Sequence, residues 1–495
     1  MKSKLCLLLW LSLIAFHSSG QNKINTLNQY FNKLQDYQQF NGNVLIAEQG
    51  KIIYEKSFGY ADISNKRLLH TNSSFPIASI TKTITSTAIL QLRDKGKLEI
   101  TDLVIKYLPE FPYPGLTLRH LLSHTSGLPI YDDLFFPLLN NHPDSVFTNK
   151  DLLPTLISAK SPLLFEPGSD FQYNNVNFNI LALVVEEISK LTYKEYLEKN
   201  IFQPSGMSHT SLSEFFKRKD QDFSKLYRFK HTYAYELEQP DTTAEFHGKN
   251  GILHFNFQGQ GDLISTTGDL LRYDQALQNG VLLSKESMNL AFTPVKLANG
   301  QDNVQRYGLG WIIKADSSLG KIVTHDGGLP GLRSVLLRNL TKHQTIIIFD
   351  NTGNNVIPLA EDVLKILNGA HVIQPTRSGA KEYSTVLVKS GTVQARKALV
   401  KLRENIQLIS FNENELNSIG YEFMSNNQID NALDIFKLNF ELFPDSWNTS
   451  DSYGEILLKL GRKAEAIKMY QKSMLLNPDN QNGKQVLEQI AKSSN

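Results

Sequence analysis

Ser79 and Lys82 stand three residues apart where an extended approach, Phe75-Pro76-Ile77-Ala78, gives way to a long helical run. A serine hydroxyl is a weak nucleophile at neutral pH and needs a base within hydrogen-bond reach. Residues three apart on a helix share a face, so Lys82 can aim its amine at the Ser79 oxygen. The helix N-terminus adds positive potential that favours the developing negative charge. A lysine serves as a base only where desolvation or a neighbouring cation lowers its proton affinity. Two further motifs follow in order, Tyr173-Asn174-Asn175 and His325-Asp326-Gly327-Gly328. Pressure that deprotonates a lysine also favours a Tyr173 phenolate. Lys82 and Tyr173 are therefore expected to act as one coupled proton-transfer unit.

A Ser-x-x-Lys pair alone carries little weight, because roughly two arise by chance in a chain this long. Ser318/Lys321 and Ser378/Lys381 also have the spacing, and both are read as polar, glycine-containing stretches with no helix following. Only Ser79 has the context of a nucleophile, and three motifs in one order make coincidence an inadequate account.

These motifs resemble the three signatures of the penicillin-recognising serine hydrolases, nearest to class C β-lactamases, D-alanyl-D-alanine carboxypeptidases and their esterase relatives. Supporting stretches are residues 118–128 (Leu-Arg-His-Leu-Leu-Ser-His-Thr-Ser-Gly-Leu), Phe165-Glu166-Pro167-Gly168 and residues 259–266, which begin Gly259-Gln260-Gly261-Asp262. The likeness spans about residues 25 to 368. It implies that Ser79 is acylated and that Lys82 and Tyr173 share general-base and general-acid work. It implies that Asn175 bonds the substrate amide and Lys82, and that the backbone N–H groups of Ser79 and Gly328 form an oxyanion hole. Such preorganised donors are usually a large part of catalysis. His325, Gly327 and Gly328 thus join Asn175 as substrate-binding residues. The commonest third signature is Lys-Thr-Gly, and His325 replaces its lysine. Histidine titrates near neutrality, so a substrate carboxylate would meet a conditional charge.

The chain has 495 residues, with 51 Lys and Arg against 49 Asp and Glu, a net charge of +2. With no polybasic run, nucleic acid and anionic membrane surfaces are poor partners. Residues 1–20 read as a secretory signal: Lys2 and Lys4, an apolar core from Leu5 to Phe16, then Ser18-Ser19-Gly20, leaving Gln21 as the mature N-terminus. That core is too short to span a bilayer, and no second long apolar run follows. The expected location is periplasmic or secreted. Cys6, the single cysteine, lies inside the signal, so the mature chain has no thiol for a disulfide or thiolate metal site.

The expected fold is α+β: a β-lactamase-like antiparallel sheet flanked by helices, with a helical subdomain and a C-terminal all-α domain. Strands are read at 43–48 and 51–60 around Gln49-Gly50, and again at 307–314, 321–325, 334–339 and 345–350. Helices are read at 81–95, 177–198 and 358–367. The hydrolase domain is assigned to residues 21–368, a linker to 369–391 and a tetratricopeptide-like domain to 392–495. Six pairs recur 34 residues apart there, among them Gly420/Gly454, Ala432/Ala466, Phe436/Tyr470 and Pro444/Pro478. Small residues in that pattern permit close helix contact. Helices at 392–408 and 483–492 are expected to cap them.

His120 and His124 could share a helix face, yet no His-Glu-x-x-His pattern or cysteine accompanies them, so no metal or cofactor is expected. Glu166 and Asp170 flank a Pro-Gly turn and read as surface loop. A Gly-x-Ser-x-Gly elbow, the mark of an α/β-hydrolase, is absent from the sequence. The expected activity is acyl transfer from a small-molecule or peptide amide or ester to Ser79, then hydrolysis. The repeats offer a surface for a protein partner. The competing reading is a non-catalytic peptide-binding scaffold, against which the intact Ser/Lys/Tyr set argues.

Overall fold

A computed structural model describes residues 22–212, 222–240, 255–316 and 318–492. The expected signal, residues 1–20, lies outside them. Among the described residues no helix is long and apolar enough to cross a membrane.

The chain divides into two units, one comprising residues 39–228 and 239–372 together with the N-terminal segment, the other mainly 373–495. The first is built on a six-stranded antiparallel sheet. Its strands are β1 (Gly42–Glu48), β2 (Lys51–Phe58), β3 (Ile312–Asp316), β4 (Gly320–Leu329), β5 (Leu332–Asn339) and β6 (Gln344–Asp350), in the order β3-β4-β5-β6-β1-β2. N- and C-terminal strands of this unit meet at the β1–β6 pairing, where Gly42 faces Asp350 and Glu48 faces Gln344. Side chains alternate between faces along a strand. Leu45, Val323, Leu336, Ile347 and Phe349 enter one hydrophobic core. Val44, Ile46, Ile322, Val335 and Ile348 enter a second core on the other face, with Leu27 and Phe31 of a helix over residues 22–36. Both faces are covered, which explains why β6 is buried throughout.

Four helices of this unit matter for the site or its support: α1 (Thr81–Asp94), α2 (Asn175–Ser189), α3 (Thr267–Gln278) and α4 (Ile357–Leu367). Helix α1 is buried from Thr81 to Leu92 although rich in Thr and Ser. Its hydroxyls are satisfied by carbonyls: Thr83 Oγ1 donates to Ile80, Thr87 Oγ1 to Thr83 and Ser86 Oγ to Leu309. Burial of a hydroxyl is tolerable only on that condition. The strand expected from residue 307 begins at Ile312. Gly308 and Gly310 occupy the interval, and a Cβ on Gly310 would stand 2.6 Å from Ser86 Cβ.

A buried ion pair joins α3 to the sheet. Asp274 accepts from Arg338 Nε and from Thr345 Oγ1, and the guanidinium lies over the rings of Phe292 (5.2 Å) and Trp311 (5.5 Å). Removing one member strands the other charge away from water. Asp274→Ala is expected to lower unfolding free energy by about 3–5 kcal/mol, read as a drop in the urea midpoint at unchanged slope.

The second unit contains α5 (Gly379–Glu404), α6 (Glu413–Ser425), α7 (Ile429–Leu442), α8 (Trp447–Lys459), α9 (Lys463–Leu476) and α10 (Gln481–Lys492). The pairs α6/α7 and α8/α9 reproduce the 34-residue spacing. A Cβ on Gly420 would meet the Phe436 ring at 2.5 Å, and one on Gly454 the Tyr470 ring at 3.2 Å. Helix α5 begins inside the stretch assigned as linker and breaks at Gly391, whose φ is +78°. Residues 229–238 also belong to this unit. Tyr233 stacks between His231 (4.7 Å) and Phe423 (4.6 Å), and Glu422 accepts from the Thr232 N–H at 2.7 Å.

Ser378 corrects an expectation. A helix does follow it: Ser378 is the N-cap of α5, accepting from the Lys381 N–H, while the Lys381 amine lies 3.7 Å from the Phe229 ring centroid. N-cap to N3 has the same spacing as a Ser-x-x-Lys pair.

Candidate active site

Ser79 sits in a single 3-10 turn, Ala78–Ile80, that feeds directly into α1. The approach is fixed by pairing of Phe75–Pro76 with Leu263–Ser265 and by the Ile77 N–H donating to Leu263 O at 2.9 Å. Ala78 holds φ = +44°, a left-handed conformation that costs a non-glycine residue free energy. Strand β4 lies against this turn. A Cβ on Gly327 would stand 2.3 Å from Ile77 O and 3.0 Å from Ala78 Cβ, so only glycine allows the approach. Ser334, opposite Gly327 in the β4–β5 register, donates to the same Ile77 carbonyl at 3.0 Å.

Lys82 is completely buried. Its Nζ lies 3.0 Å from Ser79 Oγ, 2.8 Å from Asn175 Oδ1 and 2.7 Å from the Gln260 carbonyl. The last two can only accept. A neutral amine has two N–H groups for those two acceptors and one lone pair left for the Ser79 hydroxyl. Burial favours that same form, holding the amine well below the usual lysine range against the opposing charges of Asp262 and Asp326.

Tyr173 is in the loop before α2. Part of its ring is exposed, and the ring centroid lies 4.8 Å from Lys82 Nζ and 4.3 Å from the His124 ring. Burial raises its pKa, with the Ser79 contact opposing and Asp326 adding to the rise. Burial thus favours a phenol beside a neutral amine, a placement of the proton within the coupled pair that the sequence left open. Low dielectric penalises both charged forms, so the pair is discharged together. Asn175 opens α2, and Asn174 before it is the N-cap, accepting from Val176 N–H and donating to the Leu128 and Pro129 carbonyls.

His325 also differs from expectation. It lies within β4 opposite Leu336 and is only 2% exposed. Its Nδ1 is 2.7 Å from the Asp326 carbonyl, which can only accept, so Nδ1 carries the proton. Nε2 then accepts from the Tyr307 hydroxyl at 2.8 Å. Burial, followed by the nearby Lys82, pushes its pKa down to about 3. Both nitrogens are engaged and the ring is neutral. KM for a carboxylate-bearing substrate is therefore expected to be flat from about pH 5 to 8, as steady-state kinetics on paired acid and ester substrates would show. A KM that climbs through the range of an ordinary histidine would mean that the ring titrates. Gly328 is exposed and pairs with Arg333.

His124, Tyr307 and the Gly259–Asp262 turn also line this site, which their sequence positions did not single out as site residues. His124 is fully buried, with its ring 4.3 Å from Tyr173 and 4.9 Å from Tyr307. Its Nδ1 accepts from the Asn174 N–H at 3.1 Å, so it supports the loop that carries Tyr173. Tyr307 and the Gly259–Asp262 turn complete the wall. His120 does not share this environment: its Nδ1 accepts from the Thr117 N–H in a helix cap. Glu166 and Asp170 are exposed.

Residues 27–366 match the family described as Beta-lactamase. The chain belongs to the beta-lactamase family. It is 38% identical over 332 residues to penicillin-binding protein 4* of Bacillus subtilis, covering 67% of this chain and 72% of that protein. A penicillin-binding protein structure from Bacillus halodurans superposes with a TM-score of 0.56 at 26% identity, covering 69% of this chain and 98% of the other. A D-amino acid amidase from Ochrobactrum anthropi SV3 gives a TM-score of 0.55 at 20% identity over 70% of this chain and 99% of its own, a likeness of fold alone. The hydrolase unit is thus a family member in sequence and in architecture.

Proposed function

We propose that this protein is an exported serine hydrolase that forms an acyl-Ser79 intermediate on an amide or ester substrate, namely a D-amino-acid peptide, a β-lactam or a small ester. The hydrogen-bond inventory of Lys82 carries the reading: two acceptors take its two N–H groups and its lone pair faces Ser79 Oγ. In acylation the Ser79 O–H bond breaks, its proton passes to Lys82, and Oγ bonds the carbonyl carbon. The oxyanion rests on the Ser79 and Gly328 N–H groups. Tyr173 protonates the departing amine or alkoxide and regains a proton from Lys82. Water attacks the acyl carbon in the second half-reaction, with the same pair moving protons in reverse. Asn175 holds the amine in register and bonds the substrate amide.

The neutral His325 removes one cation that a substrate carboxylate could use, which favours small esters and neutral amides over β-lactams. The basic and apolar start of the sequence supports export to the periplasm or medium. The two helix pairs with a 34-residue period support a tetratricopeptide-like role in holding a protein partner. A hydrolysis screen over D-Ala-D-Ala peptides, cephalosporins and p-nitrophenyl esters tests the reading. Turnover of at least one class is expected, with the esters foremost. No turnover and no covalent labelling by a fluorophosphonate would overturn it.

A further inference from the structure

The turn that meets Lys82 is more heavily clamped than a loop with no task would need to be. The Gln258 carbonyl accepts from Asn149 (3.0 Å) and Asn179 (2.8 Å), and the Gly259 carbonyl from Thr85 Oγ1 (2.6 Å). The Gly259 N–H donates to Asp262 Oδ1 at 2.8 Å, and the Gln260 carbonyl accepts from Lys82 at 2.7 Å. Leu263 N–H reaches Thr81 Oγ1 at 3.3 Å. Gly259 has φ = +99°, and a Cβ there would stand 2.5 Å from Phe178 O. Asp262 closes this turn from within. It is 8% exposed, and its Oδ2 has no hydrogen-bond partner among the described residues. A buried carboxylate oxygen without a partner destabilises the fold, so its retention calls for a cause.

We propose that Asp262 is a positioning residue for acylation: it folds the Gly259–Asp262 turn so that the Gln260 carbonyl holds one Lys82 N–H, and its carboxylate faces the ammonium that forms when Lys82 takes the Ser79 proton. This rests on Lys82 being the base. As the O–H bond of Ser79 breaks and the third N–H of Lys82 forms, a positive charge appears in a dry site. A fixed negative charge nearby stabilises it without reorganisation. Of the charges acting on Lys82, Asp262 acts most strongly and raises its proton affinity, with Asp326 next. By strand alternation the Asp326 side chain is on the opposite face of β4 from His325, so Asp262 is the carboxylate on the nucleophile's side. His124 and His325 also face Lys82, both neutral, as does the phenol of Tyr173. Asp262 itself is felt by the hydroxyls of Tyr131 and Tyr193, which stay protonated. Burial pushes Asp262 up to about 6, against its backbone bonds and Lys82.

Asp262→Asn separates charge from shape, because an amide oxygen still accepts the Gly259 N–H. The assay is the pH profile of the fluorophosphonate labelling rate for wild type, Asp262→Asn, Asp262→Ser and Lys82→Ala, each with a thermal melt. Asp262→Asn is expected to melt with wild type, to label on the order of 10²-fold more slowly at the plateau, and to shift its acid limb to lower pH, because Lys82 becomes harder to protonate. Asp262→Ser, which keeps a hydroxyl acceptor, must share the loss and the shift, and it decides the matter should the Asn variant fail to fold. A folded variant with the wild-type profile while Lys82→Ala is slow would overturn the role of Asp262 and leave the base intact. Wild-type labelling by Lys82→Ala would instead remove the reading on which the inference rests.

Discussion

Ser79→Ala is expected to abolish covalent labelling and to reduce hydrolysis by several orders of magnitude, the usual consequence of losing a covalent route. The substitution removes one oxygen from a half-exposed position at the start of α1, so the fold should survive it. Residual rate over water would reflect whatever the oxyanion donors contribute without a nucleophile. Ser318→Ala and Ser378→Ala provide the contrast. Ser318 is exposed, and Ser378 caps α5 and donates to Glu415 at 2.7 Å. Ser378→Ala should lower stability by about 0.5–2 kcal/mol and leave the chemistry untouched. Full activity in Ser79→Ala, read as kcat/KM on a p-nitrophenyl ester, would exclude an acyl-Ser79 route.

The second large effect concerns Lys82 and Tyr173. Lys82→Ala and Tyr173→Phe are each expected to reduce kcat/KM by about 10²–10⁴-fold, the range of positioned general acid–base groups. Lys82 Nζ lies 3.0 Å from Ser79 Oγ and 4.8 Å from the Tyr173 ring centroid. A shared proton path predicts strong non-additivity: the double variant should be little worse than the poorer single one. Losses that multiply would mean two independent tasks. Lys82→Ala also leaves Asn175 Oδ1 and the Gln260 carbonyl without their donor, so its melting temperature must be measured beside its rate.

The contact between Ser79 and Lys82 was legible because its context is local. Phe75-Pro76 must be extended, a helix must follow, and Ser79 with Lys82 share a face of it. The strands around the β1–β6 pairing were legible for a related reason: apolar runs bounded by turn residues can do little else. Asp262 was not legible, since an aspartate in Gly-Gln-Gly-Asp reads as a surface turn until α1 and α2 close over it. The neutrality of His325 was hidden in the same way. A motif gives the ring's place in the strand, but its charge depends on burial and on Lys82, far away in the sequence. Ser378 shows the opposite error, an N-cap concealed by spacing identical to that of a nucleophile–base pair. Residues 229–238 fall in the second unit because Phe229, Tyr233 and Tyr235 find aromatic and cationic partners there, which no linear boundary can express.

Whether Ser79 carries the acyl group is read by mass spectrometry of the intact protein and its peptides after exposure to a fluorophosphonate and, separately, to a penicillin. The expected result is a single adduct on the peptide containing Ser79, formed by the fluorophosphonate in wild type and absent from Ser79→Ala. An adduct on another serine, or hydrolysis of a p-nitrophenyl ester with no adduct at Ser79 under either reagent, would contradict it.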